Sequence, residues 1–294
     1  MTQAIDLYLL GLKGYNALQY IASSNYLGLV NLVIIGTDAG VKADCSQEIA
    51  QLCEKLSIKY SFRGEPGSSL EVADIVLCIG WRWIVNSTRH VIVLHDSMLP
   101  RYRGFAPLVS QLINKEPQIG VTAINAVENY DQGDIICQFS IDIDYPLKIA
   151  DAINIVGTCY NKCLKFIFSR LINSEILPAT PQNNSLATYS LWRDKEDYRI
   201  DWTLNANDIS RFVDAVGDPY AGAVSLMNQK TITIISTLPV EDVRIANRVP
   251  GKVIFIDGGK PIIVCGNGLL KITEAYDQDG ISILPFKKIR TRFT

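Results

Sequence analysis

The sequence predicts an α/β protein, a mostly parallel sheet with helices on both faces, followed by a small β-rich C-terminal domain. Three observations predict it. Apolar runs of strand length alternate with helical stripes as far as Ile172. A tract rich in Pro, Asn, Thr and Ser then interrupts the chain at Pro178 to Leu186. Beyond it, strand-like stretches are separated by Gly-Gly and Gly-Asn-Gly turns, the pattern of a small barrel or sandwich. The boundaries drawn from these signals are 1–177 for the first domain, 178–204 for a linker and 205–294 for the β-rich domain.

Taken in order, Ile5 to Leu10 is a buried strand ended by Gly11-Leu-Lys-Gly14, and Leu18, Ile21 and Ala22 then share one helix face. Leu32 to Ile35 is a second strand, closing at Gly36-Thr-Asp38. Ser46 to Leu56 suits a helix, with Ile49, Leu52, Cys53 and Leu56 on its stripe. Lys59 to Phe62, Asp74 to Ile79 and Val91 to Leu94 follow as strands. Pro107 stands in a first helical turn, where its missing N–H costs nothing, ahead of Leu108, Val109, Leu112 and Ile113. Val121 to Ile124 and Ile135 to Ile141 are strands around an acidic loop. Leu147 to Ile172 is one long helix on the spacing of Ile149, Ile153, Val156, Tyr160, Leu164, Ile167 and Leu171. After the tract at 178, Asn207 to Ala215 is helical, and Lys230–Ser236, Gly251–Ile256 and Pro261–Ala275 are strand-rich.

The 294 residues allow one large domain or two. Hydrophobic content of 48% and charged content of 20% provide for an ordinary globular core. A net charge of −2 leaves no broad basic surface, which argues against nucleic acid as the partner. Seven cysteines, an odd count without a CxxC pair, read as reduced thiols of a cytoplasmic protein. With no basic leader and no run of about 18 apolar residues, neither export nor membrane insertion is expected.

Chemistry concentrates between His95 and Asp134. The chain has two histidines. His90 lies in a polar run and reads as a surface residue. His95 emerges at the carboxyl end of a buried strand, where open α/β sheets keep their ligand crevices. Asp96 and Ser97 follow it, and Asp131-x-Gly-Asp134 returns after one helix and one strand, so an imidazole and a carboxylate are available for acid–base work. Arg101-Tyr-Arg103-Gly104 sets two guanidiniums beside a glycine, a candidate anion clamp. Leu99-Pro100 is a candidate cis bond. One histidine with scattered carboxylates does not supply a metal-ligand set. Gly11-x-x-Gly14 with Asp38 imitates a dinucleotide fingerprint, but the full G-x-G-x-x-G is absent and a tight βα turn accounts for the glycines better.

His95-Asp-Ser-x-Leu-Pro-x-Tyr-Arg-Gly104, Gly120-Val-Thr122 and Asp131-x-Gly-Asp134, with Ala187-Thr-Tyr189 and Arg199-Ile-Asp-Trp202 further on, resemble one family. It is the formyltransferases that use N10-formyltetrahydrofolate, with methionyl-tRNA formyltransferase and the sugar-nucleotide N-formyltransferases among its members. The resemblance covers most of residues 1–205; beyond them only the type of domain is similar. It implies a Rossmann-like catalytic domain in which His95 and Asp131 are catalytic. The family's third member, an asparagine two residues before the histidine, is replaced here by Val93; Asn125 on the facing strand is expected to supply the donor instead, the alternatives being that His95 and backbone amides suffice or that the enzyme is crippled. The resemblance further implies a pterin held by Ile79, Gly80 and Trp81 on one side and Val127, Glu128 and Tyr130 on the other. Met98, Leu99, Arg103 and Gly104 complete that cofactor set. The acidic net charge disfavours transfer RNA, so a nucleotide-linked amino sugar of the 4-amino-deoxy type is the expected acceptor. Lys13, Arg82 and Arg101 are candidates to meet its pyrophosphate, and Tyr15, Trp81 and Trp83 to stack on its base or sugar. A second copy of the chain, in a homodimer, is the macromolecular partner expected. Other readings are formyl transfer to another small amine or aminoacyl group, a nicotinamide-dependent oxidoreductase, and a non-catalytic binding protein in view of Val93.

Overall fold

Aliphatic strands buried along their whole length hold the first half of the chain together. The computed structural model describes residues 4–41, 44–65, 73–85 and 87–294. The elements follow in the order β1 (Ile5–Leu9), α1 (Gly11–Ser23), β2 (Val30–Ile35), α2 (Ser46–Leu56), β3 (Lys59–Phe62), β4 (Ile75–Ile79) and β5 (His90–His95). Next come β6 (Arg103–Gly104), α3 (Pro107–Ile113), β7 (Gln118–Asn125), β8 (Ile135–Asp142), α4 (Ile149–Ile172) and β9 (Tyr189–Ser190). The remainder is α5 (Ala206–Ala215), β10 (Ala223–Met227), β11 (Lys230–Val240), β12 (Val253–Asp257), β13 (Lys260–Val264) and β14 (Leu269–Asp277).

Among the described residues, the first sheet has the strand order β3-β2-β1-β4-β5-β7-β8. Its first five strands run parallel, and β7 and β8 are antiparallel to their neighbours. Every residue of β4 is buried, as a strand covered on both faces requires. The antiparallel turn at β7 matters for the site. Ile79 pairs with Leu94, so the segment after β4 leaves the sheet beside His95. His95 pairs with Thr122, whereas Asn125 pairs with Ile92, three positions back along β5. At the rise of a strand that is roughly 10 Å from His95.

The second sheet is antiparallel, in the order β10-β11-β14-β13-β12. Its core includes Ile232, Ile234, Leu269, Leu270 and Ile272. The expected strand-rich stretch Pro261–Ala275 divides into β13 and β14 around the Gly266–Gly268 turn. The two-residue strands β6 and β9 pair in parallel, and neither carried a signal of period or length in the sequence.

The chain splits into two compact units. The first comprises the residues up to Gln111, Pro117–Ile143 and Asp151–Trp192; the second comprises Leu112–Glu116, Asp144–Ala150 and Arg193–Thr294. The stretch 178–204, expected to be a linker, is shared between them. Its first part is tied into the first unit, with Thr180 bridging Ile135 and Arg103 N–H donating to the Thr188 carbonyl. Its second part belongs to the second unit, where Ile200 N–H reaches the Val224 carbonyl and Trp202 Nε1 donates to Ser225 Oγ. Polar composition was misleading there because Gln182, Asn184 and Thr188 are spent on internal hydrogen bonds. No helix of the described residues is long and apolar enough to cross a membrane.

Candidate active site

His95 is the last residue of β5 and is 7% exposed. Its Nε2–H donates to the Tyr102 carbonyl at 2.7 Å, and its Nδ1 lies 3.5 Å from Asp131 Oδ1. Both ring nitrogens therefore face oxygen acceptors, a setting in which the ring donates on both sides only as an imidazolium.

Asp131 is held at three points. Its backbone is left-handed, its Oδ2 accepts the Gly104 N–H at 2.7 Å, and its carbonyl accepts Gln182 Nε2 at 2.8 Å. Oδ1 is the carboxylate oxygen turned to His95. The loop from 126 to 134 folds back on the end of β7, where Asn125 N–H donates to the Asp134 carbonyl. Gly133 sits so tightly in this turn that a Cβ there would fall 1.6 Å from the Asn125 carbonyl oxygen. Gly104 has φ +99°, and a Cβ on it would meet the Ser190 carbonyl at 2.5 Å. Two glycines of the motif thus let Asp131 reach the histidine: one closes its loop and the other brings up the N–H that fixes it.

Asp96, next to His95, is built into the protein. Lys13 Nζ pairs with Oδ2, Tyr160 donates to Oδ1, and Gln111 Nε2 donates to the carbonyl at 2.6 Å. Thr122 Oγ1 donates to the Ser97 carbonyl at 2.6 Å and accepts the Leu99 N–H at 3.1 Å. The Leu99-Pro100 peptide is cis. These bonds fix the turn behind His95 on β7.

Several expected positions lie elsewhere. Asn125 is not beside His95: its Oδ1 accepts from His90 Nε2 at 2.6 Å, at the amino end of β5. Antiparallel pairing with Ile92 puts it on the opposite face of the sheet from Val93 and His95. Arg103, expected at a pterin edge, is 1% exposed and turned inward, with Nη2 donating to Gln182 Oε1 and Asn184 Oδ1, each at 2.7 Å. Lys13 is engaged by Asp96, and Arg82 Nη1 lies 2.9 Å from Asp38 Oδ1. That ion pair takes up the carboxylate of the apparent dinucleotide fingerprint, and Gly11 and Gly14 fall inside the first turn of α1. Tyr15 OH accepts from Gln19 Nε2 at 3.0 Å, and Arg101 stacks over Tyr102 at 5.3 Å. Leu99 is buried, Met98 Sδ lies against Gly120, and Ile79 is buried at the end of β4.

What surrounds the pair is aromatic. Val127 and Tyr130 are exposed on the Asp131 loop, next to the exposed Glu128, and Tyr130 lies 6.0 Å from the Phe105 ring. After Gly80, Trp81 packs against the buried cluster of Val76, Cys78 and Val91, as do Tyr8, Val85 and Val93. Gln182 was missed from sequence: one side chain holds Arg103 and the carbonyls of both Asp131 and Gly133, yet it stands in a tract that reads as a linker.

Comparison with known proteins matches this architecture. Residues 71–154 fit the model of the formyl transferase family, and residues 193–284 fit its C-terminal domain model, which starts where the second unit resumes. Together the two matches span more than half of the chain, and the chain belongs to the formyl transferase family. Solved structures share the fold at low identity. One is an N-formyltransferase from Helicobacter canadensis in complex with folinic acid and dTDP-3-aminofucose, with TM-score 0.69 and 18% identity over 92% of this chain and 98% of that one. Another is a 4-N formyltransferase from Francisella tularensis, with TM-score 0.58 and 19% identity over 76% of this chain and 92% of that one. A third is HypX from Aquifex aeolicus in complex with tetrahydrofolic acid, with TM-score 0.61 and 17% identity over 96% of this chain; the chain spans 45% of that protein's length.

Proposed function

We propose that the protein transfers a formyl group from N10-formyltetrahydrofolate to the amine of a nucleotide-linked amino sugar, a 4-amino-deoxy sugar above all. The observation that carries the reading is the contact of His95 Nδ1 with Asp131 Oδ1 at the carboxyl edge of the sheet, on a chain of the formyl transferase family. The residues fit a folate: the indole N–H of Trp81 is buried without a partner among the described residues, and Val127, Tyr130 and Phe105 offer apolar and aromatic surface. Trp81 with Ile79 and Gly80, and the loop bearing Val127, Glu128 and Tyr130, would hold the pterin.

When bound, the donor supplies an activated one-carbon acyl group. His95, on turning its Nε2–H from the Tyr102 carbonyl to the acyl oxygen, would stabilise the negative charge that develops there as the amine adds. Asp131 Oδ1, the oxygen not taken by Gly104 N–H, keeps the imidazole oriented. It also takes the proton that the amine sheds and returns it to the departing nitrogen. Arg103 acts one step back, holding Gln182 and through it the Asp131 loop. A diphosphate on the acceptor would compete with Asp38 for Arg82, which is half-exposed, and Arg101 and Tyr15 remain candidate contacts for the rest of the nucleotide.

One similar structure, an N-formyltransferase, holds the nucleotide-linked sugar dTDP-3-aminofucose, and another, a sugar 3N-formyl transferase, holds the nucleotide dTDP. The test is therefore a panel of 3-amino and 4-amino sugars on different nucleotides, with methionyl-tRNA as a control, each incubated with formyl-folate and read by mass. A gain of one formyl group on a 4-amino sugar supports the proposal. Transfer confined to methionyl-tRNA, or to no amine at all, overturns it.

A further inference from the structure

Asp96, the residue after His95, collects three helices at one point. Lys13 of α1 pairs with its Oδ2, Tyr160 of α4 donates to its Oδ1, and Gln111 of α3 donates to its carbonyl at 2.6 Å. Tyr160 and Gln111 are buried, and the Asp96 side chain is 9% exposed against 18% for Lys13. A carboxylate so far from water keeps its charge only with a counter-charge beside it. The pair also crosses the sheet. β4 lies between β1 and β5, so a contact from the first turn of α1 to the end of β5 spans two strand spacings, about 10 Å. Lys13 passes the chain leaving β4 on the way: a Cβ on Gly80 would lie 3.8 Å from Lys13 Cβ and 2.6 Å from the Leu10 carbonyl oxygen. The His95 ring turns to Asp131 and the Tyr102 carbonyl, and the Asp96 carboxylate turns to the helices.

We infer that Lys13 and Asp96 are positioning residues for His95. The carboxylate anchors the end of β5 to α1, α3 and α4, and the ammonium balances its charge. The other charges near the ring are already engaged. Asp131 Oδ1 faces Nδ1, the Arg103 guanidinium is held by Gln182 and Asn184, and Arg101 lies over the Tyr102 ring. With Asp96 balanced by Lys13, Asp131 is the carboxylate that orients the imidazole and favours its charge. A stranded Lys13 ammonium would oppose an imidazolium, and a stranded Asp96 carboxylate would compete with Asp131 for it. Both disturb the alignment of the reacting group rather than the grip on the donor, so the effect falls on kcat. The inference rests on the formyl-transfer reading of His95 and deepens it, assigning roles to two residues which that reading does not use.

The test uses the whole protein and turns on sign. Asp96→Asn keeps the shape and an oxygen for Tyr160 but strands the ammonium, and should lower kcat by about 10- to 100-fold. KM for formyl-folate should stay within about threefold. Adding Lys13→Met to Asp96→Asn removes the stranded charge and should recover at least about fivefold of the lost turnover. A purely structural contact predicts the reverse, a double variant no faster than the single one. The ring itself supplies a second readout. The chain has two histidines, so their imidazole 15N signals are told apart by His95→Ala. The His95 signals should move in Asp96→Asn and return towards wild type in the double variant. Those of His90, which meets Asn125 at the other end of β5, should stay in place. Full turnover in Asp96→Asn, or a double variant no faster than the single one, overturns the inference. Should Asp96→Asn not fold, Lys13→Gln and Lys13→Arg decide: the neutral variant should lose about tenfold in kcat and the charged one should recover most of it. Equal turnover in those two overturns the inference as well. A wild-type protein that formylates no amine overturns the formyl-transfer reading instead, and the imidazole spectra, which need no turnover, still judge the pair.

Discussion

Asp131 does two jobs with two oxygens, and a substitution can separate them. Asparagine keeps an oxygen for the Gly104 N–H but removes both the negative charge facing His95 Nδ1 and the proposed proton acceptor. Asp131→Asn should therefore fold normally and lose about 10²–10⁴-fold in turnover, measured as kcat for formyl transfer. Activity within tenfold of wild type would remove Asp131 from the proton path. His95 and Asp131 were legible in the sequence because the motif around them is long and ordered. Their contact was not, since it depends on a left-handed Asp131 and a glycine pressed against a carbonyl. Asn125 shows the converse. Sequence distance put it on the facing strand, but antiparallel register set it opposite Ile92 and on the wrong face. Arg103 looked like a surface clamp because arginines usually are; only the fold shows it buried among neutral amide oxygens.

The strands themselves were readable from apolar runs, and most helices from their stripes. What the runs hid was a charge inside β1. Asp6, 1% exposed, pairs with Arg89 just ahead of β5 and accepts from Asn31 Nδ2 at 2.8 Å. An acid in the middle of a buried strand tolerates burial only with its counter-charge in place. Arg89→Ala should cost about 3–5 kcal/mol in denaturant unfolding of the first unit. Replacing both partners by apolar residues of similar volume should recover most of that loss. A single Arg89→Ala variant as stable as wild type would show that the pair carries no structural burden. The short strands β6 and β9 illustrate why the segment around 178–192 was misread. They exist because Arg103 and Gly104 pair with Tyr189 and Ser190, an arrangement with no periodicity to detect.

Across the whole molecule, the cysteines differ in burial and so in expected reactivity. Five of the seven are buried, and Cys45 and Cys137 are partly accessible. Burial pushes the Cys53 and Cys265 thiols up to about 12, and raises Cys78 as well. Cys163 is raised by its contact with Cys137 and by burial, while the hydrogen bond from Cys163 lowers Cys137. A raised thiol holds its proton at neutral pH and does not alkylate. Alkylation of the native protein near pH 8 should therefore reach Cys137 first and Cys45 slowly, and all seven only after denaturation, as read by peptide mass. Rapid native labelling of Cys53 or Cys265 would contradict the packing. The two-domain order was visible in composition, but the boundary was not. It falls after Trp192 because the polar residues before it bond inward to the first unit.

The most direct measurement compares His95→Ala with the wild-type chain for formyl transfer and for folinate binding in the same preparation. Turnover should fall by at least about 10³-fold while the fold and the folinate affinity persist. Near-normal turnover without that imidazole would contradict the account at its centre.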